Sequence, residues 1–216
     1  MFSITITIIV VTALISIVAF QNYKVQEDLL FWPAAIRQRN QYYRFLTCGF
    51  IHADTAHLFF NMFSLYAFGE YVELGLYNSP GLFGSYGKAF YLGLYLSAIV
   101  IAVIPDYFIH RKSPVYRSLG ASGAVSAVIF SGILLKPLTP VQILFIPINI
   151  PGFIFAAGFL VLSAVLAKTT KGNIAHGAHF SGAIYGVLYT AIAAKLFADF
   201  NAIKVFIHIL RFDWLQ

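Results

Sequence analysis

Residues 119–135 read LGASGAVSAVIFSGILL, a stretch that has no charged side chain and is rich in glycine, alanine and serine. A transmembrane helix needs about 20 mostly apolar residues to cross a hydrocarbon core of ~30 Å. Small side chains let neighbouring helices approach closely inside a membrane. We therefore predict that Leu119–Leu135 is a membrane-spanning helix that packs closely against its neighbours.

Five other apolar stretches of similar length predict further spans, so the expected fold is an all-α membrane protein with a six-transmembrane-helix bundle. Six spans place both termini on the same side of the membrane. In chain order the predicted spans are Ile4–Phe20, Ala56–Leu76, Lys88–Ile104, Leu119–Leu135, Gly152–Ala167 and Asn173–Ala198.

The segments between the spans carry their own signals. Gln21–Thr55 mixes aromatic and basic residues, which favour the headgroup region, so we expect this loop to lie in or on the membrane. Pro105 and Asp106 are expected to close the third span. Four prolines interrupt Pro137–Pro151, which cannot be one regular helix and is predicted to be extended.

The composition excludes an ordinary soluble domain and a nucleic-acid-binding protein. Hydrophobic residues make up 60% of the chain and charged residues 10%, whereas soluble domains have about 25% charged residues. The net charge of +6 is spread along the chain without a lysine or arginine run, so we expect basic loops beside anionic lipid headgroups. One cysteine, Cys48, excludes an internal disulfide and offers no metal cluster.

The length of 216 residues predicts one bundle domain over residues 1–200 and an amphipathic tail over residues 201–216. Lys204, His208 and Arg211 stand at i, i+4 and i+7 in that tail, a pattern typical of a short helix on the membrane surface. The first apolar stretch has no basic region before it, so we interpret it as a retained anchor helix.

Ser122 lies at the start of the fourth span, in the sequence Gly120-Ala121-Ser122-Gly123. Alone, this small-residue cluster most often indicates helix packing. However, a serine in the first turn of a helix is close to unpaired N–H groups and the positive dipole end, which favour a developing oxyanion.

The sixth span holds a histidine on a face of small residues. His179 lies about one turn before Gly182, and Gly186 extends the same face. If the fourth and sixth spans pack through their glycines, His179 can reach Ser122 and act as its general base. His176 is a further turn away and is more simply explained as an interfacial histidine.

The second span adds His57 and Asn61, which share one helix face at i, i+4 spacing. Polar side chains within a span are costly and indicate function by default. Both can donate hydrogen bonds, as an oxyanion hole requires. We find no acidic residue well placed behind His179, so we expect a Ser–His dyad.

Together these residues resemble the rhomboid family of intramembrane serine proteases. The matching motifs run in order from about residue 40 to 190. They are Tyr43-Arg44 with His52 in the first loop, HLFFN at 57–61 on the second span, Glu73 three turns later on that span, Gly120-Ala-Ser122-Gly123 on the fourth span, and Ala178-His179-x-x-Gly182-x-x-x-Gly186 on the sixth.

The resemblance implies a peptidase that cleaves single-span or other transmembrane proteins in the bilayer, without metal or nucleotide cofactor. By this likeness Ser122 is the nucleophile, His179 is the base, and the Ser122 N–H, His57 and Asn61 hold the oxyanion. The residues that the likeness assigns to structural support are Arg44, His52, Glu73, Gly120, Gly123, Gly182 and Gly186.

The chain departs from the family at Ser126, where many relatives carry an aromatic residue that stacks on the catalytic histidine. Another side chain must then fix the imidazole of His179. The family also places both termini in the cytoplasm. We adopt this orientation and expect the protein to lie in a bacterial cell membrane. The count of lysine and arginine residues, nine in the loops after spans one, three and five against five elsewhere, favours the opposite orientation.

Two other functions fit parts of the pattern. A channel or transporter could use the intramembrane histidines, Asn61, Glu70 and Glu73 to line a solute path, but it would not need Ser122, and we see no inverted repeat. An inactive relative that binds membrane proteins would typically have lost Ser122 or His179, and both are present.

Overall fold

A computed structural model describes residues 3–143, 146–169 and 176–211 of the chain, which are mostly helical with one β-hairpin among them. The helices, numbered in chain order, are α1 (Ile4–Gln21), α2 (Tyr23–Leu29), α3 (Pro33–Arg39), α4 (Arg44–Thr47), α5 (Thr55–Glu70), α6 (Gly87–Ala102), α7 (Ile104–His110), α8 (Ser122–Leu135), α9 (Gly152–Thr169), α10 (His176–Ala198) and α11 (Ala202–Leu210). The strands are β1 (Pro140–Ile143) and β2 (Ile146–Pro151).

Helices occupy each stretch that was predicted to span a membrane. Within the described residues, three continuous helical segments are long and apolar enough to cross one, namely Ile4–Gln21, Gly84–His110 and Gly177–Ala198. Ser122–Leu135 and Gly152–Val165 are apolar but shorter. The helical membrane fold is therefore supported, and the count of six spans stays a prediction. Residues 173–175 of the predicted sixth span lie outside the described residues.

Helix α8 is the centre of the molecule. Every side chain or glycine from Gly123 to Leu134 is buried, and α5, α6, α10 and α11 pack around it. A helix that is apolar on all faces must be covered by protein or by lipid, and here protein covers it. The sequence at 119–135 therefore forms the core of the bundle, although its first three residues are not helical.

Glycines allow α10 to approach α8 closely. A Cβ atom on Gly182 would collide with the Gly123 carbonyl, and one on Gly186 would lie 2.6 Å from the Cα of Ala127. On the opposite side of the contact, a Cβ on Gly123 would lie 3.2 Å from the Ala178 carbonyl oxygen. The two backbones thus touch without intervening side chains, as the small-residue face predicted.

Glu73 fastens the start of α1 to the end of α5. After Glu70, α5 continues as a π-helical stretch, Tyr71–Tyr77, in which the Glu73 side chain is fully buried. The backbone N–H groups of Ile4 and Thr5 each donate to its carboxylate at 2.8 Å, and the hydroxyls of Ser3 and Thr5 also donate to it. The carboxylate therefore satisfies N–H groups that the first turn of a helix leaves unpaired.

Two predictions about the connecting segments need correction. Pro105 does not end the helical region: α6 stops at Ala102, and Pro105 occupies the first turn of α7, where proline's missing N–H costs nothing. Within the proline-rich stretch, the described strands β1 and β2 are extended, as expected, but they pair with each other in an antiparallel arrangement that the sequence did not reveal. Helix α11 forms within the predicted tail, and Ala202 is buried against α8 and α10.

Candidate active site

The chain enters α8 through a glycine that no other residue could replace without strain. Gly120 has a φ of 121°, a region open mainly to glycine. A Cβ there would also lie 2.7 Å from Cε1 of His57. Gly120 therefore serves two purposes, since it turns the chain into α8 and leaves room for the His57 ring immediately before Ser122.

A chain of hydrogen bonds from α1 fixes the residue before Ser122. The backbone N–H of Ala121 donates to Nε2 of buried His52 at 3.3 Å. Nδ1 of the same ring lies 3.0 Å from Oγ of Ser16, which in turn donates to the carbonyl of Phe50. Because Nε2 accepts, the proton of the neutral ring lies on Nδ1 and is donated to Ser16.

The first loop also fixes the residues that precede α8. Phe31 and Ser118 exchange two backbone hydrogen bonds, and the N–H of Gly120 donates to the carbonyl of Cys48. The loop itself is braced by Arg44, which is buried and donates from Nη1 to two backbone carbonyls and from Nε to a side-chain amide, those of Glu27, Leu30 and Gln41.

A cavity of about 760 Å³ opens beside this fixed segment. Ser122, His179, His57 and Asn61 all line it, although they come from three different helices. The contact between Gly123 and the Ala178 carbonyl joins the neighbours of Ser122 and His179, so the two helices meet at the level of these side chains. The structure thus places at one cavity the four residues that the sequence predicted to be the nucleophile, the base and the oxyanion-hole donors.

His57 and Asn61 stand on the wall formed by α5. The His57 ring lies edge-on to the His52 ring, with centroids 5.0 Å apart, and its backbone N–H is capped by the side chain of Asp54. Asn61 is buried and donates from Nδ2 to the His57 carbonyl at 2.9 Å. An amide nitrogen carries two hydrogens, so this bond leaves the second for another acceptor.

The His179 ring on α10 lies against Phe159 of α9, with centroids 6.1 Å apart and ring planes at 31°. Ser126, four residues after Ser122, donates to the Ser122 carbonyl at 2.8 Å. An aromatic ring therefore lies beside His179, but it comes from another helix than the one on which the family resemblance would place it.

Comparison with known proteins shows the family of this chain. The rhomboid domain model matches residues 39–196, which is most of the chain. This chain belongs to the rhomboid family. The match begins after α1 and α2, so Ser16 and the residues bound to Glu73 lie in the part of this rhomboid that the family model does not cover.

Three relatives illustrate the likeness. The presenilin-associated rhomboid-like protein, mitochondrial, of Bos taurus is 30% identical over 154 residues, covering 68% of this chain and 37% of that protein. Rhomboid-like protein 11, chloroplastic, of Arabidopsis thaliana is 29% identical over 161 residues, covering 71% and 53%. RHOMBOID-like protein 12, mitochondrial, of the same plant is 28% identical over 167 residues, covering 69% and 46%. The chain thus spans about a third to a half of their lengths.

Two contributors to this rhomboid site were missed from the sequence alone. Ser16 looked like one small polar residue in an apolar span, and only its position opposite the first loop shows its role. Phe159 carries no distinguishing signal, since it is one of 22 phenylalanines. Among the described residues, no group of three or more His, Cys, Asp or Glu side chains could hold a metal ion.

Proposed function

We propose that this chain is an intramembrane serine endopeptidase that cleaves peptide bonds in or near transmembrane segments of other membrane proteins. The observation that supports the proposal is the meeting of Ser122, His179, His57 and Asn61 at one cavity within a bundle of apolar helices. Its substrates are single-span or other transmembrane proteins, which reach the site from the lipid bilayer.

In the proposed reaction, Oγ of Ser122 attacks the carbonyl carbon of the substrate while His179 accepts the hydroxyl proton. The negative charge that develops on the carbonyl oxygen is stabilised by the Ser122 N–H, which lies at the start of α8, and by His57 and Asn61. His179 then gives the proton to the leaving amine. Water attacks the resulting ester in the same way, releases the acid product and restores Ser122.

The proposal includes a location. The apolar helices fit an integral membrane protein, and we place the chain in a bacterial cell membrane with both termini in the cytoplasm. The relatives carry mitochondrial and chloroplastic names.

The test is cleavage of a fluorescently labelled single-span helix by the purified protein in lipid vesicles. We expect Ser122→Ala and His179→Ala each to lower the rate by about a thousandfold or more, because the nucleophile and base act as a unit. Ser131→Ala is the matched control: it lies on the same helix, is buried, and bonds Tyr77 and Thr190 away from the cavity. It should retain cleavage within severalfold.

A fluorophosphonate probe separates an enzyme from the alternatives. Wild type should be labelled and Ser122→Ala should not, and His176→Ala should behave like wild type. Equal cleavage by wild type and Ser122→Ala would refute the proposal. Solute flux that does not depend on Ser122 would favour a channel, and binding without cleavage would favour an inactive relative.

A further inference from the structure

An aromatic ring from α9, Phe159, lies beside the imidazole of His179. On α8, Ser126 is buried and its hydroxyl is bonded to the Ser122 carbonyl, so position 126 supplies no ring beside His179. On α9, Phe159 lines the same cavity and lies 6.1 Å from the imidazole, measured between centroids. The ring planes are inclined by 31°, a tilted arrangement at a separation where aromatic rings still attract each other.

Phe159 contacts two further aromatic rings. Phe155, one turn earlier on α9, stacks on it with centroids 6.1 Å apart and planes at 29°. Phe130 of α8 lies 5.6 Å away and tilted by 55°. The contact with Phe130 joins Phe159 to α8, the helix of Ser122, so this ring can define the position of the imidazole beside it without help from Phe155.

We propose that Phe159 is the positioning residue that orients the imidazole of His179 toward Ser122. This inference rests on the proposed peptidase function. A base acts efficiently only when its nitrogen is held within hydrogen-bond reach of the proton that it takes, so a ring packed beside the imidazole favours catalysis by limiting its rotation. Because the ring comes from α9 and the base from α10, a shift of α9 changes the orientation of the base.

The first test compares Phe159→Leu with Phe155→Leu. Both positions are half-buried on α9 and belong to the same stack, but only Phe159 faces His179. We expect Phe159→Leu to lower kcat for the labelled single-span helix by about 10- to 100-fold, the range for a misplaced reacting group, with little change in KM. Phe155→Leu should keep kcat within severalfold while lowering the thermal midpoint as much as Phe159→Leu.

Rescue experiments separate orientation from packing. Phe159→Tyr retains a ring and should keep most of the activity. Adding Ser126→Phe to Phe159→Leu should recover part of kcat by supplying a ring from α8. An equal loss of kcat in Phe155→Leu, or wild-type kcat in Phe159→Leu, would overturn the inference while leaving the peptidase proposal intact.

A readout that needs no substrate distinguishes failure of the inference from failure of the proposed function. With ¹³C-labelled histidine, the ring carbons of His179, assigned by comparison with His179→Ala, should show a ring-current shift. Phe159→Leu should remove it and Phe155→Leu should retain it. If the two variants show the same shift, the positioning role is rejected. If the shifts differ as expected but the wild-type protein does not cleave the substrate, only the peptidase function is rejected.

Discussion

His52 illustrates how one neutral side chain can fix the segment that leads to Ser122. Its two ring nitrogens have different tasks, since Nδ1 binds Ser16 and Nε2 accepts from Ala121. Protonation would place a hydrogen on Nε2, where it would face the Ala121 N–H and break this bond. The arrangement therefore requires the neutral ring.

The pH dependence of stability should report this requirement. Burial, followed by the charge of His57, lowers the pKa of His52 from 6.5 to about 3, and Asp54 opposes the shift. Because the unfolded chain binds the proton more tightly, the contribution of His52 is complete above about pH 6.5 and is lost as the pH falls toward 3. One such group contributes a slope of up to ~1.4 kcal/mol per pH unit.

Unfolding in detergent between pH 7.5 and 4 checks this. We expect His52→Gln to be less stable than wild type at pH 7.5 but to lose less stability on acidification. Parallel curves for wild type and His52→Gln would show that His52 is not the group responsible.

The residues of the site differ in how easily they can be recognised from the sequence. Polar groups such as His57, Asn61 and His179 stand out because hydrocarbon penalises them, so a sequence that keeps them indicates a use. Phe159 is apolar and would be buried for packing in any case. Its contact with His179 arises only from the docking of α9, and no periodicity in the sequence encodes that.

At the scale of elements, helices were predictable because apolar runs of the right length have few alternatives in a membrane. The hairpin of β1 and β2 was not, since its pairing depends on backbone groups rather than on an alternating pattern. The prediction that Pro105 ends the helical region was wrong for a related reason. A proline that ends one helix can equally begin the next, and tertiary packing decides between them.

The contact of α8 with α10 gives a prediction for this scale. Gly186→Ala should cost about 1–3 kcal/mol of stability, the usual range for overpacking, because the new methyl group has only the Ala127 backbone in front of it. It should also lower cleavage, since separating the helices separates Ser122 from His179. The measurement is thermal unfolding in detergent together with the cleavage rate.

Gly158→Ala on α9 is the control, because a Cβ at Gly158 has no atom within 4 Å. The same change there should leave stability equal or raise it by up to ~1 kcal/mol, since alanine is the better helix former. A similar loss at both positions would contradict close packing as the cause.

For the whole molecule, family membership was predictable from five motifs in order, whereas orientation was not. The charge count and the family resemblance point in opposite directions. Arg44 enters the count although it is folded into the first loop, where it is buried and bonds backbone carbonyls. Such residues are poor topology signals because their partners are within the protein.

Cysteine labelling settles the orientation. The native Cys48 is buried, and burial raises its pKa to about 12, so it should react little. Ser85 and Lys112 are exposed at opposite ends of the helical segment Gly84–His110. With termini in the cytoplasm, a membrane-impermeant maleimide should label Lys112→Cys on intact cells, and Ser85→Cys only after permeabilisation. The reverse pattern would support the charge count.

Helix α1 is tied down near both ends, by Glu73 at Thr5 and by His52 at Ser16. Its 18 residues measure about 27 Å, close to the thickness of a bilayer's hydrocarbon core. When the surrounding lipid is thicker or thinner than a helix, the helix tilts or the bilayer deforms around it. In this chain neither response is local to α1, because the attachment at His52 leads directly to Ala121 and Ser122. We therefore expect the thickness of the surrounding lipid to affect the position of Ser122.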